Sequence, residues 1–115
     1  VVAALQPRQG ELVFNKTTMS GFASTGCDQV FRHIGLQYLV FTGVGTDACV
    51  FGTARDAADR GYFCVMVEDA CTAQHPILHD AALLMFGINS GRIATTTEVI
   101  RELDRARTTH PPRPR

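Results

Sequence analysis

Short apolar runs alternate along the chain with longer segments whose apolar residues recur at helical spacing. Apolar runs at residues 12–14, 38–41 and 63–67 predict β-strands, and a shorter one at Arg92–Ala94 predicts a fourth. The runs at 38–41 and 63–67 are continuously apolar, as is typical of strands covered on both faces.

The segments after the first two strand candidates predict helices. Residues 27–34 carry apolar side chains on one helical face and end at Gly35. A second helix is predicted over residues 47–60, with Thr46 as its cap and Gly61 at its end.

Two further helices follow the third and fourth strands. The dipeptide His75-Pro76 begins one of them, because proline suits the first turn of a helix. Thr95 and Glu98 form a capping box for the last. Helical spacing predicts the buried face of each helix. For the helix that begins at Pro76 it consists of Ile77, Leu78, Ala81, Leu84 and Met85, and for the last helix of Val99, Ile100 and Leu103.

Strands that alternate with amphipathic helices are typical of α/β proteins, in which right-handed crossovers build a parallel sheet. We therefore predict a three-layer, Rossmann-like fold with helices on both faces of the sheet. Residues 1–104 form one domain, and residues 105–115, rich in arginine and proline, are predicted to be a disordered tail.

Composition narrows the possible functions. The 115 residues carry a formal net charge of zero, so no nucleic acid or membrane partner is expected. The four cysteines lack the spacing of a zinc site, and a core of this size needs no disulfides. We expect reduced thiols in a cytoplasmic protein that binds no metal and no cofactor.

One cysteine lies where the second strand turns into a helix. Gly43 and Gly45 permit a tight turn, and Cys49 follows in the first helical turn. Backbone N–H groups and the positive end of the helix dipole favour a thiolate there, and they can stabilise an oxyanion. This arrangement is that of a nucleophile elbow with sulfur in place of a serine oxygen. Packing is the favoured role of Cys27 and Cys64, and Cys71 is left open.

The same turn supports a second hypothesis. Gly43-x-Gly45-x-x-Ala48 matches a dinucleotide fingerprint, and Glu68 and Asp69 end the next strand, where an acid would bind a ribose. Against it, the turn does not follow the first strand, and that fold has no use for a cysteine at the helix start.

Lys16 is the second element of candidate chemistry. It is the one lysine among eleven basic residues, and it directly follows the first predicted strand. It would therefore project from the same sheet edge as Cys49, where an ammonium can orient a carboxylate or stabilise negative charge.

At this point the chain resembles the isochorismatase-like cysteine hydrolases, over residues 11–103. The motifs that carry the resemblance are Lys16-Thr-Thr-Met-Ser20-Gly-Phe22-Ala-Ser-Thr25, Gly43-Val-Gly-Thr46-Asp-Ala-Cys49-Val50, Thr53-Ala-Arg-Asp56-Ala, Gly61-Tyr62 and Val67-Glu-Asp69-Ala70. The resemblance implies an Asp-Lys-Cys triad in which Lys16 is the lysine and Cys49 the nucleophile. It also implies a cis peptide between Val44 and Gly45, and an oxyanion hole formed by the N–H groups of Gly45 and Cys49.

The chain departs from the family at the aspartate, which the resemblance places at the end of an earlier strand. No aspartate precedes Asp28, and Glu11 lies on the wrong side of its strand to substitute. The resemblance therefore implies that the chain is truncated at its amino terminus. Any metal-binding residues of the nicotinamidase branch would lie in the same absent segment.

The expected reaction is C–N hydrolysis of a small amide or a ureido or carbamoyl compound, through a thioester. Phe22 is expected either to line the substrate pocket or to pack in the core, and the resemblance further implies a homo-oligomer. A catalytically inactive fragment or subunit remains the alternative, beside the dinucleotide-binding domain.

Overall fold

A computed structural model describes residues 1–109, which form a three-stranded sheet flanked by helices. The strands are β1 (Tyr38–Val44), β2 (Phe63–Thr72) and β3 (Arg92–Ala94). The α-helices are α1 (Gly21–Ser24), α2 (Cys27–His33), α3 (Phe51–Asp59), α4 (Pro76–Asn89) and α5 (Thr96–Thr109). A 3₁₀ turn covers Ala3–Leu5, and a π-helical turn covers Thr46–Val50 between β1 and α3.

The sheet is parallel and has the order β1-β2-β3. Tyr38 pairs with Phe63 at one end and Val44 with Thr72 at the other, with an irregularity between Phe41 and Gly43. The carboxyl ends of β1 and β2 therefore lie side by side, which is where open parallel sheets form their sites.

Helices lie on both faces of the sheet, as predicted. The core on one face combines side chains of β2 with those of α3 and α4, namely Cys64, Met66, Ala54, Ala57 and Phe86. On the other face α5 packs over β2, with Val99 near Val65. The α/β, three-layer prediction is confirmed. None of the helices within residues 1–109 has the length and hydropathy of a membrane-spanning segment.

The predicted strand at residues 12–14 is wrong. The segment runs without helix or strand assignment, and Leu12 and Val13 are 55% and 61% exposed. Within the described residues β1 pairs only with β2, so the segment at residues 12–14 does not join the sheet at the free edge of β1. Phe14 is held instead by an edge-to-face contact with Phe31, with ring centroids 6.0 Å apart.

The burial predicted for three elements also needs correction. Alternate residues of β1 are exposed on the α5 face, because α5 covers the neighbouring β2. In α4 the buried residues are Ala82 and Phe86, and four of the five predicted core residues are exposed, namely Ile77, Leu78, Leu84 and Met85. In α5, Ile100 and Leu103 are likewise exposed. Apolar residues occur on more than one face of α4, so spacing alone does not identify its inner face.

The predicted domain boundary at residue 104 lies inside α5. α5 continues to Thr109, and the hydroxyls of Thr108 and Thr109 donate to the carbonyls of Asp104 and Arg105, each at 3.1 Å. Residues 105–109 are therefore helical where a disordered tail was predicted. The rest of that predicted tail, residues 110–115, lies outside the described part of the chain.

Candidate active site

The turn that follows β1 presents Cys49. Gly43 adopts a φ of +128°, which an L side chain rarely adopts, and the Val44–Gly45 peptide is cis, at the position that the resemblance indicates. The carbonyl of Gly45 accepts hydrogen bonds from the N–H groups of Ala48 (3.2 Å) and Val50 (3.1 Å). The chain thus passes directly from the strand into a helical turn that carries a partly exposed Cys49.

Lys16 meets this cysteine from a segment 33 residues earlier in the chain. Its Nζ lies 3.2 Å from Cys49 Sγ and also donates to the carbonyl of Thr18 at 2.9 Å. A lysine side chain this close to a sulfur can stabilise negative charge on it during nucleophilic attack. The structure therefore brings the two predicted catalytic residues together.

The segment that carries Lys16 is attached to α3, the helix that begins after the cysteine turn. Ser20 Oγ donates to Asp56 Oδ2 at 2.8 Å, and the N–H of Gly21 donates to Thr53 Oγ1 at 3.0 Å. Ser20 also caps α1 through the N–H of Phe22. Lys16 and Cys49 are thus positioned against a common helix, which limits how far they can separate.

The other three cysteines face different surroundings. Cys64 is 5% exposed, and burial raises its pKa to about 11. Cys27 is also buried, and burial raises the pKa of Cys71, whose sulfur lies 3.8 Å from the carbonyl oxygen of Phe41. Burial in apolar surroundings disfavours the thiolate. Packing is therefore the role that the structure supports for Cys27 and Cys64, as predicted, and it extends to Cys71.

A small cavity of about 220 Å³ opens beside the Lys16–Cys49 pair. It is lined by both of these residues and by Thr42, Val44 and Thr53. A larger cavity of about 420 Å³ lies at the amino-terminal end of the strands, next to Cys64. We place the site at the smaller cavity, because the only cysteine with a cation beside it within residues 1–109 lies there.

Phe22 is a core residue and does not line the cavity beside Cys49. It is 7% exposed, and its ring contacts Phe31 and Tyr62, with centroids 6.3 and 5.9 Å away. It also lines an apolar cavity of about 240 Å³, which Lys16 borders as well. The structure thus shows Phe22 as a core residue, and its part in a substrate pocket stays a prediction.

None of the carboxylates within residues 1–109 contacts the Lys16 side chain. Within residues 1–109 no carboxylate oxygen lies within 4.0 Å of Lys16 Nζ. Glu11 accepts a hydrogen bond from the N–H of Arg8, in its own loop. Asp69, proposed above as a ribose ligand, accepts from the N–H and hydroxyl of Thr96, both at 2.8 Å, and these bonds lower its pKa. Asp69 thus caps α5, and Glu68 is exposed.

One contact at the site was not predicted. Thr46 was expected to cap the following helix, but Gly45 holds that position and the Thr46 hydroxyl lies 2.7 Å from His79 Nδ1 of α4. The two residues are 33 apart in the chain, so no local motif links them. The available signal was a histidine in the first turn of a largely apolar helix that starts at the same sheet edge.

Known proteins match the chain over most of its length. The isochorismatase domain model matches residues 1–99. The ureidoacrylate amidohydrolase RutB of Variovorax paradoxus is 44% identical over 70 residues, which are 61% of this chain and 28% of that protein. RutB of Klebsiella pneumoniae is 38% identical over 84 residues, 73% of this chain and 36% of that protein. The chain thus spans about a third of the length of these relatives.

Solved structures show the same relationship. A cysteine hydrolase from Pseudomonas syringae pv. phaseolicola superposes with a TM-score of 0.87 at 28% identity, covering 92% of this chain and 55% of that one. A nicotinamidase/pyrazinamidase from Bacillus subtilis gives a TM-score of 0.65 at 34% identity, with 69% and 44% covered. With the domain match over residues 1–99, these findings show that the chain belongs to the isochorismatase family.

Proposed function

We propose that this protein is a cysteine hydrolase that cleaves the C–N bond of a small amide or of a ureido or carbamoyl compound. The observation that carries the proposal is the 3.2 Å contact between Lys16 Nζ and Cys49 Sγ at the carboxyl end of β1. A thiol on a helical turn beside an ammonium has the two features that activate a cysteine nucleophile.

Cys49 would attack the carbonyl carbon, forming a C–S bond while the carbonyl π electrons move to oxygen. The N–H groups of Gly45 and Cys49 are the proposed donors to this oxyanion. Collapse of the intermediate restores the carbonyl, breaks the C–N bond and leaves a thioester on Cys49. Water then hydrolyses the thioester, which releases the acid and regenerates the thiol.

The reaction also needs a base that takes the thiol proton and passes it to the leaving nitrogen. The resemblance assigns this role to an aspartate, and no carboxylate of the described residues approaches Lys16. We therefore assign attack to Cys49 and charge stabilisation to Lys16, and we attribute proton transfer to a carboxylate outside residues 1–109. A chain that lacks this carboxylate would react with acylating agents but turn over poorly.

Two observations support a small ureide or amide as the substrate. The cavity beside Cys49 holds about 220 Å³, below the 300–1,000 Å³ of sites for drug-sized ligands. Both relatives described above are ureidoacrylate amidohydrolases, and one structural neighbour is a nicotinamidase. The free thiols also favour a reducing compartment, so we propose the cytoplasm as the place of action.

Alkylation and hydrolysis together test the proposal. Iodoacetamide at neutral pH, followed by peptide mapping, should label Cys49 well before Cys27, Cys64 and Cys71. Hydrolysis of a panel of small amides and ureides should be measured on the 115-residue chain and on a version extended at its amino terminus, with Cys49→Ser as control. Equal labelling of all four cysteines, or no hydrolysis by either version, would contradict the proposal.

We further propose that two copies of the chain associate through the exposed apolar stripe of α4, formed by Ile77, Leu78, Leu84, Met85 and Ile88. These side chains are 40–76% exposed and carry no charge. Large apolar side chains that share one exposed helix face form the kind of contiguous patch that marks a protein–protein interface. An uncharged stripe can pair with its own copy about a two-fold axis without repulsion.

Light scattering after size-exclusion chromatography tests this association. We expect a dimer for the wild type and a monomer for Leu84→Glu, because the substitution places two carboxylates in the paired stripe. Thr97→Glu, on the exposed side of α5, is the matched control and should remain dimeric. A monomeric wild type, or a dimer that survives Leu84→Glu, would exclude this surface.

A further inference from the structure

Thr46 is the most deeply buried polar residue of the nucleophile turn. It is 0% exposed, and its hydroxyl lies 2.7 Å from His79 Nδ1. Within residues 1–109 this is the only hydrogen bond of that hydroxyl. A buried hydroxyl needs a partner, and this one is supplied by a different element of the fold.

The same residue joins three parts of the site. Its carbonyl accepts a hydrogen bond from the N–H of Phe51, the first residue of α3. Its side chain contacts α4, and it directly follows Gly45, the proposed oxyanion donor. Thr46 thus fixes the start of the turn whose fourth residue is Cys49.

His79 lies in the first turn of α4, and its N–H donates to the carbonyl of His75 at 3.2 Å. α4 begins shortly after Thr72, which pairs with Val44 at the end of β1. The imidazole therefore reaches Thr46 from a rigid support that is independent of the nucleophile turn. A neutral imidazole can accept from the Thr46 hydroxyl or donate to it, according to its tautomer.

We propose that His79 is a positioning residue for Cys49, acting through Thr46. The hydrogen bond holds the turn so that Cys49 Sγ meets Lys16. His79 itself does not touch the sulfur. A role of His79 in catalysis rests on the proposed function. The effect of His79 on the reactivity of Cys49 can be measured whether or not the protein is a hydrolase.

The first test is the rate constant for alkylation of Cys49 by iodoacetamide at pH 7. Thr46→Val and His79→Leu should each lower it by about 3- to 10-fold, and the double variant should be no slower than the slower single one, because both remove the same interaction. Thr46→Ser and His79→Asn should restore most of the rate, since the first keeps the hydroxyl and the second places an amide atom near the position of Nδ1.

Matched controls separate positioning from folding. Thr97→Val and His33→Leu change the same residue types at exposed positions and should leave the rate unchanged. Thermal unfolding identifies any variant that fails to fold, in which case the rescue variants Thr46→Ser and His79→Asn carry the comparison. Rates within two-fold of the wild type in folded Thr46→Val and His79→Leu, or losses that add in the double variant, would overturn the inference.

A second readout distinguishes this inference from the proposed function. Acylation of Cys49 by p-nitrophenyl acetate passes through an oxyanion, whereas alkylation does not. The single variants should therefore lose more in the acylation burst than in alkylation, because the Gly45 N–H moves with Thr46. A wild type that is alkylated quickly but never acylated would defeat the proposed hydrolase, while a coupled loss of alkylation would still support the role of His79. Equal losses in both reactions would overturn the part that concerns Gly45.

Discussion

Cys49 and Cys64 lie at opposite ends of two neighbouring strands, Cys49 just after the end of β1 and Cys64 at the start of β2. The surroundings of Cys49 suit a reactive thiol, and those of Cys64 do not. Cys49 follows the carboxyl end of β1 and has the Lys16 ammonium 3.2 Å away. Cys64 is the second residue of β2, is 5% exposed, and lies 3.4 Å from the Tyr62 carbonyl oxygen. Cys49 therefore lies in a partly exposed turn beside a charged group, whereas Cys64 is buried among core side chains.

The difference follows from chain geometry. Inside a strand the backbone N–H groups are used in the sheet, and a side chain that points inward meets other side chains. After a strand the chain turns, and a side chain there can meet solvent and residues from distant segments. Position relative to the strand, rather than residue type, therefore separates the proposed nucleophile, Cys49, from the packing residue Cys64.

Removing each sulfur gives the largest expected contrast. Cys49→Ala should lower amide hydrolysis by the extended chain at least ~10³-fold, because no other group replaces the nucleophile. Cys64→Ala should keep the activity within about two-fold, but should lower the free energy of unfolding by about 1–2 kcal/mol through the small cavity it leaves. Steady-state kinetics and urea unfolding measure the two effects. Activity that survives Cys49→Ala, or disappears in a folded Cys64→Ala, would reverse the comparison.

The tight packing around Cys64 can be tested by a substitution at Gly91. A Cβ built there would lie 2.5 Å from the Cys64 carbonyl oxygen and 2.7 Å from the Phe86 ring. We expect Gly91→Ala to cost about 3 kcal/mol in urea unfolding, since backbone has to move to make room. Gly26→Ala is the control, because a Cβ there meets nothing within 4 Å, and the loss of glycine at the N-cap of α2 should cost about 1 kcal/mol at most. Similar losses of stability in the two variants would show that the side chains around Cys64 are less tightly packed than the distances at Gly91 indicate.

The buried thiol also predicts how stability depends on pH. Burial raises the pKa of Cys64 from an ordinary value of 9.0 to about 11. The folded protein therefore keeps this proton between pH 9 and 11, while the unfolded chain loses it. The contribution of the thiol to stability is complete below pH 9 and decreases as the pH rises towards 11, by about 2.7 kcal/mol in total. Urea unfolding at pH 8 and pH 10.5 measures it, and Cys64→Ala should flatten this part of the profile. An unchanged slope in Cys64→Ala would show that another group is responsible.

Local patterns in the sequence predict much of this molecule. Gly35 and Gly61 have positive φ values where helices were predicted to end, Pro76 begins α4, and Thr95 and Glu98 form the capping box. Each of these signals involves residues that are close in the chain, so their physics is contained in a short window. The turn that carries Cys49 was predicted for the same reason.

Features that depend on distant partners were predicted less well. The inner face of α4 is chosen by Ala82 and Phe86, which fit the sheet, although Leu84 and Met85 are equally apolar. The contact between Thr46 and His79 joins residues 33 apart, and local spacing gave Thr46 a capping role instead. Lys16 was linked to Cys49 because both followed predicted strands and because the family resemblance implies the pair. One of those strands is not formed, yet the lysine still reaches the sulfur.

A substitution of Lys16 is the smallest change that tests why Cys49 and Cys64 differ in reactivity. Replacing it with methionine keeps the length of the side chain but removes the charge, so the thiolate of Cys49 loses its nearest cation. We expect Lys16→Met to lower the alkylation rate of Cys49 at pH 7 by about 10-fold, equivalent to ~1.4 kcal/mol, and to leave the slow labelling of Cys64 unchanged. Arg8→Met, in an exposed loop, is the matched loss of one positive charge and should have no effect. If Arg8→Met slowed Cys49 as much as Lys16→Met, the overall charge of the protein, and not the 3.2 Å contact, would be what distinguishes Cys49 from Cys64.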